Sequence, residues 1–308
     1  MSGPVTARDA DVADAVVSVP ERGAELEITP GREASVGGVP VHRVLPHRPR
    51  RTVGAWCFVD HFGPTDGPGM GIGPHPHIGL QTVTWLLSGE LVHRDSLGSE
   101  QAIRPGQLNL MTAGHGIAHA EEAPPGWSGT THGAQLWVAQ PEGTRHGPPA
   151  FEHHGELPVV ESGPAVTTVL VGTHGAVTSP ARHDTSLVGL DVQVHAGSCE
   201  LPLDAGFEHA VVLLDGDLTV DRVAVPAHTL VYLPVGRSSA TLTTAASSRL
   251  LVLGGEPFGE AVLMSWNFVG RTRDEIDAAT DEWNAGTDRF GVVDSALDRI
   301  PAPRPPWR

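Results

Sequence analysis

Short apolar runs separated by turns rich in glycine and proline recur along the chain from about residue 26 onward. The most regular run, residues 81–87, is β-branched and aromatic, and Ser88-Gly89-Glu90 turns it into residues 91–95. Runs of this length and composition, bounded by turn residues, predict strands. Similar runs follow at 108–112 and 117–121, so we predict a meander of antiparallel strands that forms a small barrel or sandwich.

The second half of the chain shows the same pattern of short apolar runs separated by turns. Its predicted strands cover residues 166–171, 187–194, 210–214, 218–220, 229–233 and 250–253. Asp215-Gly216-Asp217 predicts a tight hairpin, in a strand-turn-strand arrangement like the one around Gly89. We therefore expect a second barrel. Near the equivalent strand it has only His209 and no pair of histidines two residues apart, so we predict that it has no metal cage.

A single helix is predicted near the C-terminus, at about residues 272–284. Thr272 and Glu275 fit a capping box, in which the two side chains satisfy each other's backbone N–H groups. Ile276, Ala279, Thr280 and Trp283 follow at helical spacing. We expect the face that carries Trp283 to pack against a barrel.

The length of 308 residues suggests two domains, each large enough to bury a core. We predict a mobile leader at residues 1–22, a first barrel at 23–142 and a second barrel at 143–308 that ends in the helix. Gly (37) and Pro (27) are abundant and only 18% of residues are charged, which favours short strands joined by turns. The predicted fold class is all-β.

Charge and hydropathy exclude several functions. The formal net charge of −16 argues against direct binding to nucleic acid or to an anionic membrane, because such binding needs clustered cations. No apolar run approaches the roughly 18 residues of a membrane span. Asp9, Asp11 and Asp14 stand where a signal peptide needs a basic start. We therefore expect a cytoplasmic protein.

Two short pieces of sequence carry candidate chemistry. His75 and His77 lie two residues apart on a strand-like run, as do His119 and Glu121. Because side chains alternate between the faces of a strand, each pair shares a face. Three imidazoles and one carboxylate suit a divalent transition metal with one or two positions open for substrate or oxygen. We predict that these four side chains form a metal site.

Gln81 and His115 are further candidates for residues that lie beside this site. Gln81 has the strand parity of His77, so we expect it to face the cavity, where a neutral amide can hydrogen-bond but cannot act as a base. His115 has the parity of His119, but Gly114 and Gly116 break the strand geometry. It is therefore either a cavity residue or a turn residue.

Several motifs resemble those of the pirin family within the cupin superfamily. The resemblance covers most of residues 25–140 and is looser afterwards, at Gly255-Glu256-Pro257 and Trp266-Asn267-Phe268. The motifs that carry it are FVDHFGP at 58–64, HPHIGLQTVT at 75–84, HRDS at 93–96, and the stretch from Pro105-Gly106 through MTAG at 111–114 to HAE at 119–121. One departure is Gln81, where many relatives have Glu.

The resemblance implies a fold of two jelly-roll cupin barrels with one metal ion in the first. The metal expected foremost is Fe(II), and Mn, Ni, Co, Cu and Zn are alternatives because histidine and carboxylate ligands accept all of them. The implied ligands are His75, His77, His119 and Glu121.

Two functions are compatible with the resemblance. The first is a dioxygenase of the quercetin 2,3-dioxygenase type, which opens a flavonol or another enolic or phenolic substrate with O₂. In it, Glu121 would take the substrate's hydroxyl proton. The second is a metal-dependent, redox-responsive co-regulator that binds a protein partner. A third reading is that the metal only stabilises the barrel.

Overall fold

The computed structural model describes residues 26–48 and 50–308, and within them the chain forms two β-barrels side by side. Each barrel consists of one large sheet and one four-stranded sheet, and one helix follows near the C-terminus. The predicted all-β class with two tandem barrels and a short helix is confirmed. The leader predicted at residues 1–22 lies outside the described residues.

In the first barrel, a seven-stranded sheet in the order β12-β9-β6-β11-β4-β3-β2 faces a four-stranded sheet in the order β5-β10-β7-β8. The strands, numbered in chain order, are β2 (Arg32–Val36), β3 (Val39–Leu45), β4 (Trp56–Gly67), β5 (Gly71–His77), β6 (Leu80–Ser88), β7 (Leu91–Asp95), β8 (Glu100–Ile103), β9 (Leu108–Thr112), β10 (Ile117–Glu122), β11 (Gly129–Ala139) and β12 (Ala150–His154).

In the second barrel, the large sheet has the order β1-β21-β18-β23-β16-β14-β13, with β15 paired to β14, and the small sheet has the order β17-β22-β19-β20. The strands are β1 (Glu27–Pro30), β13 (Val159–Ser162), β14 (Ala165–His174), β15 (Val177–Thr178), β16 (Leu187–Val194), β17 (Gly197–Pro202), β18 (Glu208–Asp215), β19 (Leu218–Val220), β20 (Val223–Val225), β21 (Thr229–Leu233), β22 (Ser239–Thr244) and β23 (Ser248–Gly255).

The two large sheets share the largest apolar core of the molecule. It takes Val83 and Leu136 from the first barrel and Val212 and Leu251 from the second. Trp56 is fully buried in it, and its indole nitrogen lies 3.1 Å from the carbonyl oxygen of Val188, in the second barrel. Since a buried indole N–H needs an acceptor, this bond fixes one barrel against the other.

Two strands, β1 and β12, pair with the barrel that their place in the sequence does not suggest. Strand β1 pairs with β21 and so extends the second barrel, although it precedes the first in sequence. Strand β12 pairs with β9 of the first barrel, although it lies beyond residue 142. The predicted division at that residue therefore does not describe where these strands lie, because strand pairing rather than sequence order decides it.

Residues after β23 return to the first barrel. Strands β24 (Leu263–Ser265) and β25 (Phe268–Gly270) form a two-stranded ribbon, and the helix α1 (Arg273–Ala285) and a 3₁₀ turn (Asp288–Phe290) follow. Phe268 pairs with Ile78 of the first barrel in an isolated bridge. The C-terminal segment of the chain is thus part of the first barrel's surroundings.

Helix α1 confirms the sequence prediction in detail. The Thr272 side chain accepts a hydrogen bond from the backbone N–H of Glu275, and the Glu275 side chain accepts one from the N–H of Thr272, which completes the capping box. The residues it buries are the four predicted ones, Ile276, Ala279, Thr280 and Trp283. Of these, Ile276, Ala279 and Trp283 pack in one cluster with Ile78 and Ala118 of the first barrel. Among the described residues, no helix is long and apolar enough to span a membrane.

Candidate metal centre

Three histidines converge inside the first barrel. His75 and His77 lie on β5 and His119 lies on the neighbouring strand β10, where it is paired directly with His75. The potential ligand atoms of the three side chains all lie within 4.8 Å of one another. The Nε2 atoms of His77 and His119 are 3.1 Å apart. Each histidine is at most 1% exposed, so the group is closed off from bulk solvent.

Backbone carbonyls orient two of these rings. The Nδ1 atom of His75 lies 2.9 Å from the carbonyl oxygen of Gly73, and that of His77 lies 3.0 Å from the carbonyl oxygen of Asn267. A carbonyl can only accept, so each Nδ1 carries the proton and each Nε2 keeps its lone pair. Metal-binding histidines have the same arrangement, with the second nitrogen donating to a fixed acceptor.

A second histidine and a carboxylate orient His119. Its Nδ1 lies 3.3 Å from Nδ1 of His93, whose Nε2 lies 3.2 Å from Oδ2 of Asp95. If the Asp95 carboxylate accepts from His93 Nε2, then His93 Nδ1 has the lone pair that accepts from His119. The chain of bonds therefore leaves the lone pair of His119 on Nε2, directed toward the other two histidines. His93 also stacks on Phe151, with ring centroids 4.2 Å apart.

Burial keeps the three imidazoles neutral. It lowers the pKa of His75 to about 3 and the pKa values of His77 and His119 well below the usual value, with further lowering by neighbouring histidines. A neutral imidazole is the form that binds a metal ion. The site therefore offers three uncharged nitrogen ligands at pH 7.

Glu121 lies two residues after His119 on β10, with its carboxylate buried. It is paired with His93 on β7, as His119 is paired with Asp95. Its Oε1 atom lies 3.0 Å from the hydroxyl oxygen of Thr84, whereas its Oε2 atom has no hydrogen-bond partner within the described part of the chain. The group within 4.8 Å consists of the three histidines, and Glu121 is not among them. Its role as fourth ligand stays a prediction.

A row of polar side chains that the sequence analysis missed crosses the large sheet beside this carboxylate. Gln135, Thr84 and Asn109 are directly paired across β11, β6 and β9. The Thr84 hydroxyl also lies 3.0 Å from Oε1 of Gln135, so its single proton serves one of two acceptors at a time. The amide nitrogens of Gln135 and Asn109 are buried and have no partner among residues 26–48 and 50–308.

Unpartnered buried atoms are concentrated in this barrel. Besides those of Glu121, Gln135 and Asn109, they include Nε2 of His75 and the indole nitrogen of Trp137. Trp137 meets the His77 ring edge-on at a centroid distance of 5.2 Å. Buried polar atoms are nearly always hydrogen-bonded, so a cluster of exceptions points to a bound ion, water or ligand. No single sequence motif carries this signal, since the five residues come from four strands.

The structure places the two predicted neighbours away from the histidines. Gln81 donates to the hydroxyl of Thr112, and its parity with Val83 puts it on the face of β6 that packs against the second barrel. The prediction that it faces the cavity is wrong. Strands β5 and β6 belong to different sheets, and the chain bends at Gly79 between them. The alternation of side chains along β5 therefore does not continue into β6. His115 is an exposed turn residue, with Nδ1 bonded to the carbonyl oxygen of Gly147.

A divalent metal ion fits the residues present. Three neutral nitrogens and a buried carboxylate oxygen suit iron, manganese, nickel, cobalt, copper or zinc. The unpartnered Nε2 of His75 and Oε2 of Glu121 are the atoms that such an ion would satisfy. Backbone and side-chain acceptors fix the opposite ring nitrogens of all three histidines.

Two family models match the chain in tandem. The pirin model matches residues 38–138, and the model of the pirin C-terminal cupin domain matches residues 189–291. The first match includes all four predicted metal ligands. The second covers most of the second barrel and extends into the helix and the 3₁₀ turn.

Curated relatives and solved structures agree with these matches. A putative quercetin 2,3-dioxygenase of Pseudomonas aeruginosa is 46% identical over 92% of this chain and 91% of its own length. A pirin-like protein of Caulobacter vibrioides is 35% identical over 88% of this chain and 97% of its length. The crystal structure of a quercetin 2,3-dioxygenase from Acinetobacter baumannii is 44% identical, has a TM-score of 0.88, and is covered over 95% of its chain and 91% of this one.

Proposed function

Because the chain belongs to the pirin family, we propose that it is a metal-dependent dioxygenase of the quercetin 2,3-dioxygenase type. The observation that supports this most is the closed cluster of three neutral histidines beside a buried carboxylate with an unpartnered oxygen. The names of the relatives that share 44% and 46% of its residues support the same reaction class.

The proposed metal ligands are the side chains of His75, His77, His119 and Glu121. Three neutral imidazoles and one carboxylate would leave a divalent ion with a formal charge of +1, which favours an anionic oxygen of the substrate as an added ligand. Fe(II) is the metal we propose first. When bound, such an ion would supply Lewis acidity and would bring the substrate and dioxygen into proximity.

Glu121 is the proposed proton acceptor. Its Oε2 atom can receive the hydroxyl proton of an enolic or phenolic substrate through the lone pair that the metal ion would not use, since Thr84 occupies Oε1. A general base must lie within hydrogen-bond reach of the proton that it removes, so its position is considered before its pKa. The hydrogen bond from Thr84 restricts rotation of the Glu121 carboxylate and so keeps its Oε2 atom in one orientation.

The surrounding side chains suit a small planar substrate with oxygen substituents. Trp137 and Phe58 stack with centroids 4.0 Å apart and present a rigid aromatic surface beside His77. The amide nitrogens of Gln135 and Asn109 can donate to substrate oxygens. An aromatic wall with a few convergent polar groups is the usual composition of a small-molecule site. We therefore propose a flavonol or a similar enolic or phenolic compound, together with O₂, as substrates.

The direct test is turnover of quercetin. Purified protein loaded with Fe(II), and in parallel with the other divalent metals, is mixed with quercetin under air while flavonol absorbance and carbon monoxide release are followed. We expect loss of absorbance with release of carbon monoxide for the native chain, and none for His119→Ala. Glu121→Gln keeps the shape of the side chain and removes its basicity, so we expect turnover to fall by about 10²–10⁴-fold.

A matched control is Gln81→Ala, which changes a buried amide on the opposite face of β6. We expect it to retain turnover. Absence of turnover with every metal tested would contradict the proposed function.

A further inference from the structure

A cleft opens in the second barrel, away from the metal centre. Its volume is about 480 Å³, within the usual range for small-molecule sites. Its lining combines apolar residues, among them Leu190, Val252 and Phe207, with polar ones. His209 lies in the lining, and His183 and Asp204 are exposed residues of the same cleft.

His209 is a buried polar residue beside the apolar core of the second barrel. It lies on β18 with the parity of Val211 and Leu213, which belong to the apolar core inside the barrel. The preceding residue, Glu208, has the opposite parity and accepts hydrogen bonds from Gly54 and from the Tyr232 hydroxyl between the barrels. The side chain of His209 therefore faces the interior, where its neighbours on the strand are aliphatic.

This imidazole is buried and incompletely hydrogen-bonded. His209 is 1% exposed, and its Nδ1 atom has no hydrogen-bond partner among the residues that the structure describes. The residue paired with it on β23 is Gly254, where an added Cβ would lie 2.4 Å from Cδ2 of His209. The glycine thus leaves the space that the ring occupies. An unpaired buried nitrogen costs free energy, which a ligand group that bonds to it would offset.

Charge restricts what the cleft can accept. Burial lowers the pKa of His209 to about 4, so the ring is neutral at pH 7 and offers one donor and one acceptor. Leu190, Val252 and Phe207 are the apolar part of the lining, whereas its one carboxylate, Asp204, is exposed. A charged group placed against the apolar part would lose its hydration, and Asp204 would repel an anion. An uncharged ligand with an apolar body and a single hydroxyl matches both the walls and the imidazole.

We propose that this cleft is a binding site for a small uncharged phenol, whose ring contacts Leu190, Val252 and Phe207 and whose hydroxyl hydrogen-bonds to His209. The site is separate from the metal centre and does not depend on the reaction proposed for it. It gives the second barrel a ligand of its own.

The experiment is a titration of the full chain, labelled at leucine and valine methyl groups, with 4-ethylphenol followed by NMR. We expect saturable shifts of the Leu190 and Val252 methyls that line the cleft. Ethylbenzene, which lacks the hydroxyl, and the 4-ethylbenzoate anion should each bind at least tenfold more weakly. His209→Phe, which keeps a ring of similar shape, should weaken 4-ethylphenol binding at least tenfold.

Leu203→Trp provides a variant that leaves His209 unchanged. Leu203 is half-buried in the lining of the cleft and packs against the edge of the core, so a larger side chain there should fill the cleft and abolish the shifts while His209 is kept. Leu80 and Leu86 of the first barrel serve as reference methyls. Absence of saturable shifts at Leu190 and Val252, shifts confined to the first barrel, or undiminished binding by both variants would overturn the proposal.

Discussion

The hydroxyl oxygen of Thr84 lies 3.0 Å from Oε1 of Glu121, and Oε2 of the same buried carboxylate has no partner within the described residues. The two residues are 37 positions apart and lie on strands of different sheets. Thr84 thereby restricts the orientation of Glu121, and the unpartnered oxygen is the one available to a metal ion or a substrate proton.

Replacing Thr84 with valine should weaken metal binding. The substitution preserves shape but removes the hydroxyl that bonds to Glu121, so the carboxylate loses a group that orients it. Loss of such a supporting bond typically costs about 10–100-fold in metal affinity. Competition with a chromophoric chelator measures the effect. Thr82→Val, the same change two residues earlier on β6, is the matched control, and an equal loss in both variants would contradict the role of Thr84.

His93→Phe should also lower metal affinity. The variant keeps an aromatic ring against Phe151 but removes the nitrogen that lies 3.3 Å from Nδ1 of His119. Without that acceptor, His119 is no longer held in the tautomer that exposes the Nε2 lone pair. We expect a loss of about 10–100-fold in the same competition assay.

Phe151→Leu separates the stacking contact from the hydrogen bond. It removes the ring under His93 and leaves the nitrogen in place, so the loss of affinity should be smaller than for His93→Phe. If Phe151→Leu has the larger effect, packing rather than the tautomer of His119 is what matters.

Stability should fall at mildly acidic pH because of a buried histidine outside the metal centre. His61 is 1% exposed, and its Nε2 lies 2.9 Å from Nε2 of His132. Burial, with help from neighbouring histidines, lowers the pKa of His61 to about 3. The unfolded chain takes up the proton near pH 6.5 and the folded chain does not, so stability is full above pH 6.5 and is lost as the pH falls toward 3.

For this one group, the free energy of unfolding should decrease by about 2 kcal/mol between pH 7 and pH 5. Urea unfolding of the chelator-treated protein at both pH values measures the change. His61→Phe should reduce the difference, whereas His115→Gln at the surface should leave it as in the native chain. A pH dependence that is unchanged by His61→Phe would show that this histidine is not responsible.

Trp283→Ala should destabilise the protein and weaken its metal site. The indole nitrogen of Trp283 donates to the carbonyl oxygen of Ile300, whose own N–H donates to Pro74, next to His75. Removing a buried tryptophan typically costs about 3–5 kcal/mol. Thermal unfolding and metal titration measure the two effects. Trp307→Ala, at a half-buried tryptophan of the same C-terminal segment, should have smaller effects on both.

Local sequence patterns were enough to predict the strand positions of His75, His77 and His119 and the helix, whereas the role of Glu121 as fourth ligand stays a prediction. His75 and His77, like His119 and Glu121, share a strand, so alternation alone places each pair on one face. The helix could be predicted because its capping box and its apolar spacing lie within thirteen residues. Both signals arise within one element and do not depend on how elements pair.

Features set by pairing between distant strands could not be predicted from local patterns. Thr84, Gln135 and Asn109 form one row only because of the register of three strands. The acceptor for His77 comes from Asn267, 190 residues away. Gln81 was placed wrongly because alternation does not carry across the bend at Gly79, where the chain passes from one sheet to the other.

The metal content of the first barrel tests the central claim most directly. Protein loaded with Fe(II) and freed of excess metal is analysed by plasma mass spectrometry for the native chain, for His75→Ala and for His77→Ala. We predict about one metal ion per native chain and loss of most of it in each variant, with folding checked by circular dichroism. Stoichiometric metal in both folded variants would contradict the assignment of these histidines as ligands.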